Sequence, residues 1–188
     1  MKSALMFAAA IGLSLSSATR AQVTIIPTGG TVITDENADV TVGGVTERQI
    51  TLRATGSADS TVTIRATSGT TPVRYIKLKS VRFGSNFNHF QANVDESGGT
   101  FSHIRTIYRD PTSDAEVIIG QVIISGVAGD PGSPHTSSFL ADVVSDIQAT
   151  GGVTANITSG PRLFGAASNI ANVSSSGGVI SGDISTST

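Results

Sequence analysis

The chain has no cysteine and no tryptophan among its 188 residues. That absence excludes disulfide staples, thiolate catalysis and cysteine-ligated zinc. Stability has to come from packing and backbone hydrogen bonds alone. Charge is sparse too, at 14% of residues, and acids slightly outnumber bases. A chain of this kind has no general attraction for nucleic acid or anionic lipid. Leucine, lysine and glutamate are scarce, and no stretch carries a convincing helical signal over its whole length.

Long apolar runs are also few. The one from Ala4 to Leu15 follows the short basic start Met1–Lys2 and is too short to span a bilayer. With the small residues Ser17, Ala18, Thr19 and Ala21 behind it, it reads as a signal peptide over residues 1–21, cut after Ala21. The expectation is export to a secreted, extracellular or cell-surface location, with no transmembrane segment in the mature chain. Removing Lys2 and Arg20 from the twelve basic residues leaves ten against fourteen acidic ones, a net charge of −4.

What is abundant is Thr, Ser, Val, Ile and Gly. Branched side chains favour a pleated surface and Gly/Ser clusters punctuate it with turns, so the chain reads as all-β. Ile50, Leu52 and Ala54 alternate with polar residues, as do Val62, Ile64 and Ala66, with a Gly56–Ser60 loop between. Val23–Ile26 and Val40–Val42 read as earlier strands. Over Ser137–Ala149 the apolar residues fit helical spacing, but the repeat described next assigns the second half to a strand.

Val144, Ile147, Gly151, Gly152 and Val153 recur 26 residues later as Ile170, Val173, Gly177, Gly178 and Val179. A looser copy holds Ile119, Val122, Gly126 and Val127. A period near 26 with no helical half suits one turn of a parallel β-solenoid, in which each coil satisfies the backbone groups of the next. The pattern puts Ile147 over Val173, stacks the glycines at a corner, and lines up Gln121, Asp146 and Asn172 as a polar ladder. Ile157 and Ile184 mark a further strand, with one residue inserted between the copies.

The segments Val144–Ser159 and Ile170–Thr186, with their aliphatic steps, Gly-Gly-Val and polar residue before Ile, resemble coils of secreted bacterial right-handed parallel β-helix proteins of pectate-lyase-like architecture. The resemblance covers Ile119 onward. It implies a right-handed parallel β-helix and a role among polysaccharide lyases and hydrolases, adhesins or surface proteins. None of the enzymes' catalytic signatures maps onto this chain. The expected organisation is a β region over 22–72, serving as cap or first coils, and solenoid coils over 73–188. A β-sandwich is the alternative fold, because short alternating strands suit both. No polar cap follows Ile184, so the chain reads as a truncated product or the opening of a longer solenoid.

Candidate chemistry is thin. Asp35, Asn37 and Asp39 open like a calcium loop, but Val40 and Thr46 stand where the loop needs glycine and glutamate, so an Asn/Asp turn is the better reading. His89 and His103 flank Asp95 and Glu96 at spacings that match no metal motif, and His135 reads as a loop residue. Asp110, Asp114 and Glu116 surround Pro111 in an acidic loop, and no serine sits in a nucleophile elbow. Catalysis, metal and cofactor are therefore not expected. Asn156 and Asn172 begin Asn-x-Ser/Thr sequences and belong to the polar columns of the repeat.

The most basic stretch, Val73–Phe90, holds Arg74, Tyr75, Lys77, Lys79 and Arg82 beside Phe83, Phe87 and Phe90. On a strand, Lys77 and Lys79 share one face, and these cations beside the Tyr75 ring could meet sulfated or uronic polysaccharide. Lysines that merely keep a strand edge soluble are the competing explanation. The leading functional reading is a non-catalytic structural or adhesive module that contacts a polysaccharide or another surface protein. The alternative is an N-terminal fragment of a carbohydrate-active β-helix enzyme.

Overall fold

A computed structural model describes residues 22–82, 84, 88–96, 98–132, 136–160 and 169–186. The expected signal peptide over residues 1–21, together with Phe83, Phe87 and His135, lies outside them. No helix among the described residues is long and apolar enough to cross a membrane.

The chain forms a parallel β-solenoid of about five turns. Its coils are flattened into a front and a back sheet. Strands β1 (Val23–Gly29) and β2 (Thr31–Val42) come first; β3 (Val45–Thr55) and β4 (Ser60–Ala66) make the first coil. The second coil is β5 (Thr70–Val81) with β6 (His89–Glu96), and the third is β7 (Thr100–Arg109) with β8 (Glu116–Ile124). In the fourth, the front strand splits into β9 (Val127–Gly129) and β10 (Ser138–Ala141), followed by β11 (Val143–Ala149). Then come β12 (Val153–Thr154), β13 (Asn156–Ser159) and β14 (Asn169–Ser174), and finally β15 (Ile180–Ser181) and β16 (Ile184–Thr186).

The back sheet runs β1-β4-β6-β8-β11-β14, and the front sheet carries the remaining strands. Parallel pairing begins at β3 with β5 and runs on across position 72, which lies inside β5. Among the described residues, only β1 on β4 and β2 on β3 are antiparallel. These two strands lie across the open side of the first coil as a lid, and they satisfy backbone groups that would otherwise face water.

Between the sheets lies one apolar column, because alternation sends every second side chain inward. Ile50, Leu52, Ile76, Leu78, Ile104, Ile107, Phe139 and Ile157 fill it from the front strands, and Val62, Ile64, Phe90, Val94, Ile119, Val122, Val144 and Ile147 from the back. Ile147 pairs with Val122 below and Val173 above, all in parallel register, which excludes the β-sandwich. Asp146 likewise sits between Gln121 and Asn172, and Asn172 donates to it at 2.8 Å. Ile157 lies beside Ile184 as the repeat requires.

Two expectations need correction. The sequence spacing equates Val153 with Val179 and with Val127, but Val153 pairs with Ile180 and Ala128. The offset is 26 along β11 and β14, from Val143↔Asn169 to Gln148↔Ser174, and becomes 27 at Val153↔Ile180. The extra residue thus enters before the corner, within the Ser-rich turn, rather than after it. Core burial decides the matter: Val153 is 0% exposed and needs an aliphatic neighbour, whereas Val179 turns out to 70% exposure. Gly151 therefore lies beneath Gly178, where any Cβ would meet the Gly151 carbonyl oxygen at 2.3 Å.

The second correction concerns Asp35, Asn37 and Asp39, which lie within β2 and not in a turn. Cross-strand arginines hold them extended. Arg53 forks onto Asp35 at 2.9 and 3.0 Å, and Arg48 reaches both Asn37 and Asp39. The Ser137–Ala149 segment is strand in both halves, with Ser145, Asp146 and Gln148 outward and Ser137 and Asp142 buried.

Candidate functional site

On β5, Ile76 and Leu78 point into the core, so Tyr75, Lys77 and Lys79 face outward. The register slips by one residue opposite Arg48 and Gln49, which leaves Arg74 as an extra residue beside Tyr75. A bulge of this kind re-aims a side chain, and here it puts two consecutive residues on the outer surface.

The basic stripe then divides. Lys77 lies 3.8 Å from Asp110, and the Arg82 amide donates to Asp114 at 2.7 Å. Burial works to raise the Asp110 carboxyl, but hydrogen bonds from the Thr112 hydroxyl and amide, with the Lys77 and Lys79 charges adding to them, hold it below its ordinary value. These cations are partly engaged by the chain's own acidic loop. Arg74, by contrast, has no ion pair or hydrogen bond with any described residue.

Arg74 and Tyr75 help line a groove of about 480 Å³, with Val42, Val45, Glu47, Arg105, Thr106, Tyr108 and Thr136 around them. One wall is the tip of the β2–β3 hairpin. Its two-residue turn, Gly43-Gly44, has φ of 61° and 81°, which side-chain-bearing residues rarely adopt. The turn lifts Val42 and Val45 clear of the stack, about half exposed. The floor is aromatic: the rings of Tyr75 and Tyr108 meet edge to face, 6.1 Å apart. Tyr75 donates its hydroxyl hydrogen to Glu36 at 2.7 Å, with Gln49 Oε1 3.1 Å away. Burial and the Glu36 charge push the Tyr75 phenol up to about 12, so the ring is fixed and neutral.

Beneath the groove runs an ionic chain across three coils. Glu47, almost fully buried, accepts from Arg105 Nε at 2.5 Å and lies 2.8 Å from His103 Nε2. Arg105 also pairs with Asp130 from the fourth coil. Burial works to raise the Glu47 carboxyl, but hydrogen bonds from His103 and Arg105 outweigh it and hold the group below its ordinary value. Asp130 is also lowered: burial opposes this, and the Gly132 amide and Arg105 prevail. Both acids are held ionised, the opposite of what a general acid needs.

The histidines and acids weighed as a metal site are scattered. His89 lies against Asp59 and Glu116 at the start of β6 in the back sheet, while His103 belongs to the Glu47 pair on the front. Among the described residues no group of three or more His, Asp and Glu is arranged to hold a metal. The back face carries a shallow polar trough of about 610 Å³ lined by Gln91, Asn93, Gln121 and Asp146 among others. Asn156 and Asn172 sit in polar columns, bonded to the Asp183 amide and to Asp146.

Of the groove residues, Glu47, Arg105, Thr106, Tyr108 and the hairpin valines escaped sequence reasoning. A Gly-Gly pair between valines is a hairpin signal, and it was there to be used. No protein-family model matches the chain, and neither a curated protein nor a solved structure is similar enough to it to count as a match.

Proposed function

We propose that this chain is an exported, non-catalytic β-helix module of the secreted bacterial kind, structural or adhesive in role, whose front groove holds an acidic polysaccharide. The observation that carries the reading is the pairing of an uncompensated guanidinium, Arg74, with the rigid Tyr75–Tyr108 floor. An aromatic ring offers an apolar face to the C–H surface of a sugar, and a planar guanidinium suits a carboxylate or sulfate on the same unit. Thr106 adds a hydroxyl for the remaining polar groups. The lowered carboxyls of Glu47 and Asp130 favour holding over cleaving, since neither has a proton to give near neutral pH.

Titration calorimetry with uronic-acid and sulfated oligosaccharides tests this. The intact chain should bind at least one of them without releasing shorter products. Arg74→Ala with Tyr75→Ala should weaken binding by at least about tenfold, equivalent to ~1.4 kcal/mol. Lys77→Ala with Lys79→Ala should matter less, because neither lines the groove and Lys77 already pairs with Asp110. Indifference to all such sugars, or release of unsaturated or reducing ends, overturns the proposal.

A further inference from the structure

The outer face of the back sheet carries a row of hydrogen-bonding side chains that the fold only partly uses. Thr63, Asn93, Gln121, Asp146 and Asn172 stand at one place in successive rungs, and the first four line the trough of about 610 Å³. A bulge shapes its middle. Between Ala92↔Ile119 and Val94↔Val122 the single residue Asn93 faces two, Gly120 and Gln121. Gly120 has no side chain, and the Gln91 and Asn93 amides lie over it: a Cβ there would sit 2.1 Å from Asn93 Oδ1 and 2.8 Å from Gln91 Nε2. Gln91 donates to Asn93 at 3.0 Å, and Asn93 Oδ1 also accepts the Gln121 backbone amide at 2.9 Å. Two carboxamides are thus fixed against the sheet, with Gln91 Oε1 and Asn93 Nδ2 left without partners among the described residues. The Gln121 side chain is exposed and bonds to no described residue, and Ile123 beside it is 40% exposed.

We propose that this trough is a second binding site, for an uncharged glycan lying along the solenoid axis. Neighbouring hydroxyls on a sugar ring offer a donor and an acceptor side by side, and a carboxamide matches them with its N–H and C=O. A chain running across the strands meets a new rung about every 4.8 Å, so successive sugar units face successive amides. Ile123 gives an apolar shoulder for the C–H face of a ring.

Charge decides against the acidic polymer assigned to the front groove. Arg65 is already paired with Asp95 at 2.9 Å, which leaves Asp146 as the remaining charge in the lining, and a carboxylate repels uronic acids and sulfates. Both Asp146 oxygens accept hydrogen bonds, from Gln148 at 2.7 Å and Asn172 at 2.8 Å, so it offers little to a cation. A peptide is disfavoured because extended peptides add to sheet edges through their backbone, and on this face the backbone groups are used within the sheet. With the two sites on opposite sheets, the module bridges two unlike polymers. The back site stands whether or not the front groove binds.

Titration of the chain with short oligosaccharides of an uncharged β-glucan, a mannan and a xylan, followed by NMR of the side-chain amides, is the test. At least one sugar should bind and shift the Gln91, Asn93 and Gln121 amide signals while leaving that of Gln49 on the front sheet unmoved. Gln91→Ala with Gln121→Ala should weaken binding at least about tenfold, as loss of two polar contacts does. Gln121→Arg, which fills the trough from an exposed position and leaves circular dichroism unchanged, should do the same. Arg74→Ala with Tyr75→Ala should leave it untouched, which separates this site from the front groove. Binding of none of the three sugars, binding indifferent to both Gln121 variants, or binding lost with the front pair overturns the inference.

Discussion

Replacing Gly126 with alanine should destabilise the fold by about 3 kcal/mol, in the range of overpacked cores, and lower the melting temperature by roughly 10 °C. Gly126 turns the corner between β8 and β9, and the coil below passes directly beneath it. A Cβ there would sit 2.1 Å from the Phe101 carbonyl oxygen and 2.3 Å from that of Ser102. Both obstacles are backbone, so no side chain can swing aside. Relief requires the two coils to part, and parting them disrupts the adjoining β7–β9 pairing of His103 with Val127 and Ile104 with Ala128. Gly132→Ala is the control, because its nearest neighbour is 3.6 Å away and its φ is ordinary. Thermal melts should place Gly132→Ala within about 0.5 kcal/mol of the parent. Equal effects at the two glycines would mean that coils do not press together at this corner.

Glu47→Ala should cost about 3 kcal/mol near neutral pH, because removing one partner of a buried ionic group leaves the others uncompensated. Glu47 reaches from the first coil to His103 and Arg105 on the third, and Arg105 extends the tie to Asp130 on the fourth. Its loss uncouples the lid side of the solenoid from the middle. The pH dependence carries a definite sign. The carboxyl lies below its ordinary value of 4.5 in the folded chain, so its stabilising effect is complete above 4.5 and fades as pH falls through the depressed value. Denaturant titrations of parent and variant should therefore converge as the solution is acidified below 4.5. A gap that stays constant from neutral pH to 3 would show that the charge on Glu47 contributes nothing.

The column was readable because each rung repeats the chemistry of the last. Ile119, Val144 and Ile170, or Gln121, Asp146 and Asn172, occupy one place in successive coils, and a repeat comparison finds them without any knowledge of structure. It failed where geometry and spelling part company. Gly-Gly-Val at 151–153 and at 177–179 look equivalent, but the inserted residue in the Ser-rich turn shifts the stack by one and sets Ile180, not Val179, beside Val153. Asp35, Asn37 and Asp39 misled for a related reason: their turn propensity is local, while the arginines that straighten them come from the next strand.

The groove was half legible. Arg74 and Tyr75 stood out by composition, but their partners arrive from other coils. Glu47 lies 56 and 58 positions from His103 and Arg105, separations at which no local pattern survives. The stripe also looked uniform in the sequence, whereas the Asp110 loop folds back on Lys77 and leaves Arg74 apart. Alternation told which side chains face outward; only the stacking decides which of them are already paired.

The register of that stacking is most directly tested by cross-linking, for which a cysteine-free chain is well suited. Asp146 and Asn172 are outward-facing partners in neighbouring coils. Parallel strands lie about 4.8 Å apart, inside the span a disulfide bridges. Asp146→Cys with Asn172→Cys should close an internal disulfide under mild oxidation, seen as a faster-migrating species in non-reducing electrophoresis, while Asp95→Cys with Asn172→Cys, more than one coil apart, should not. Failure of the first pair to close, or equal closure of the second, would contradict a solenoid in which these coils lie one upon the other.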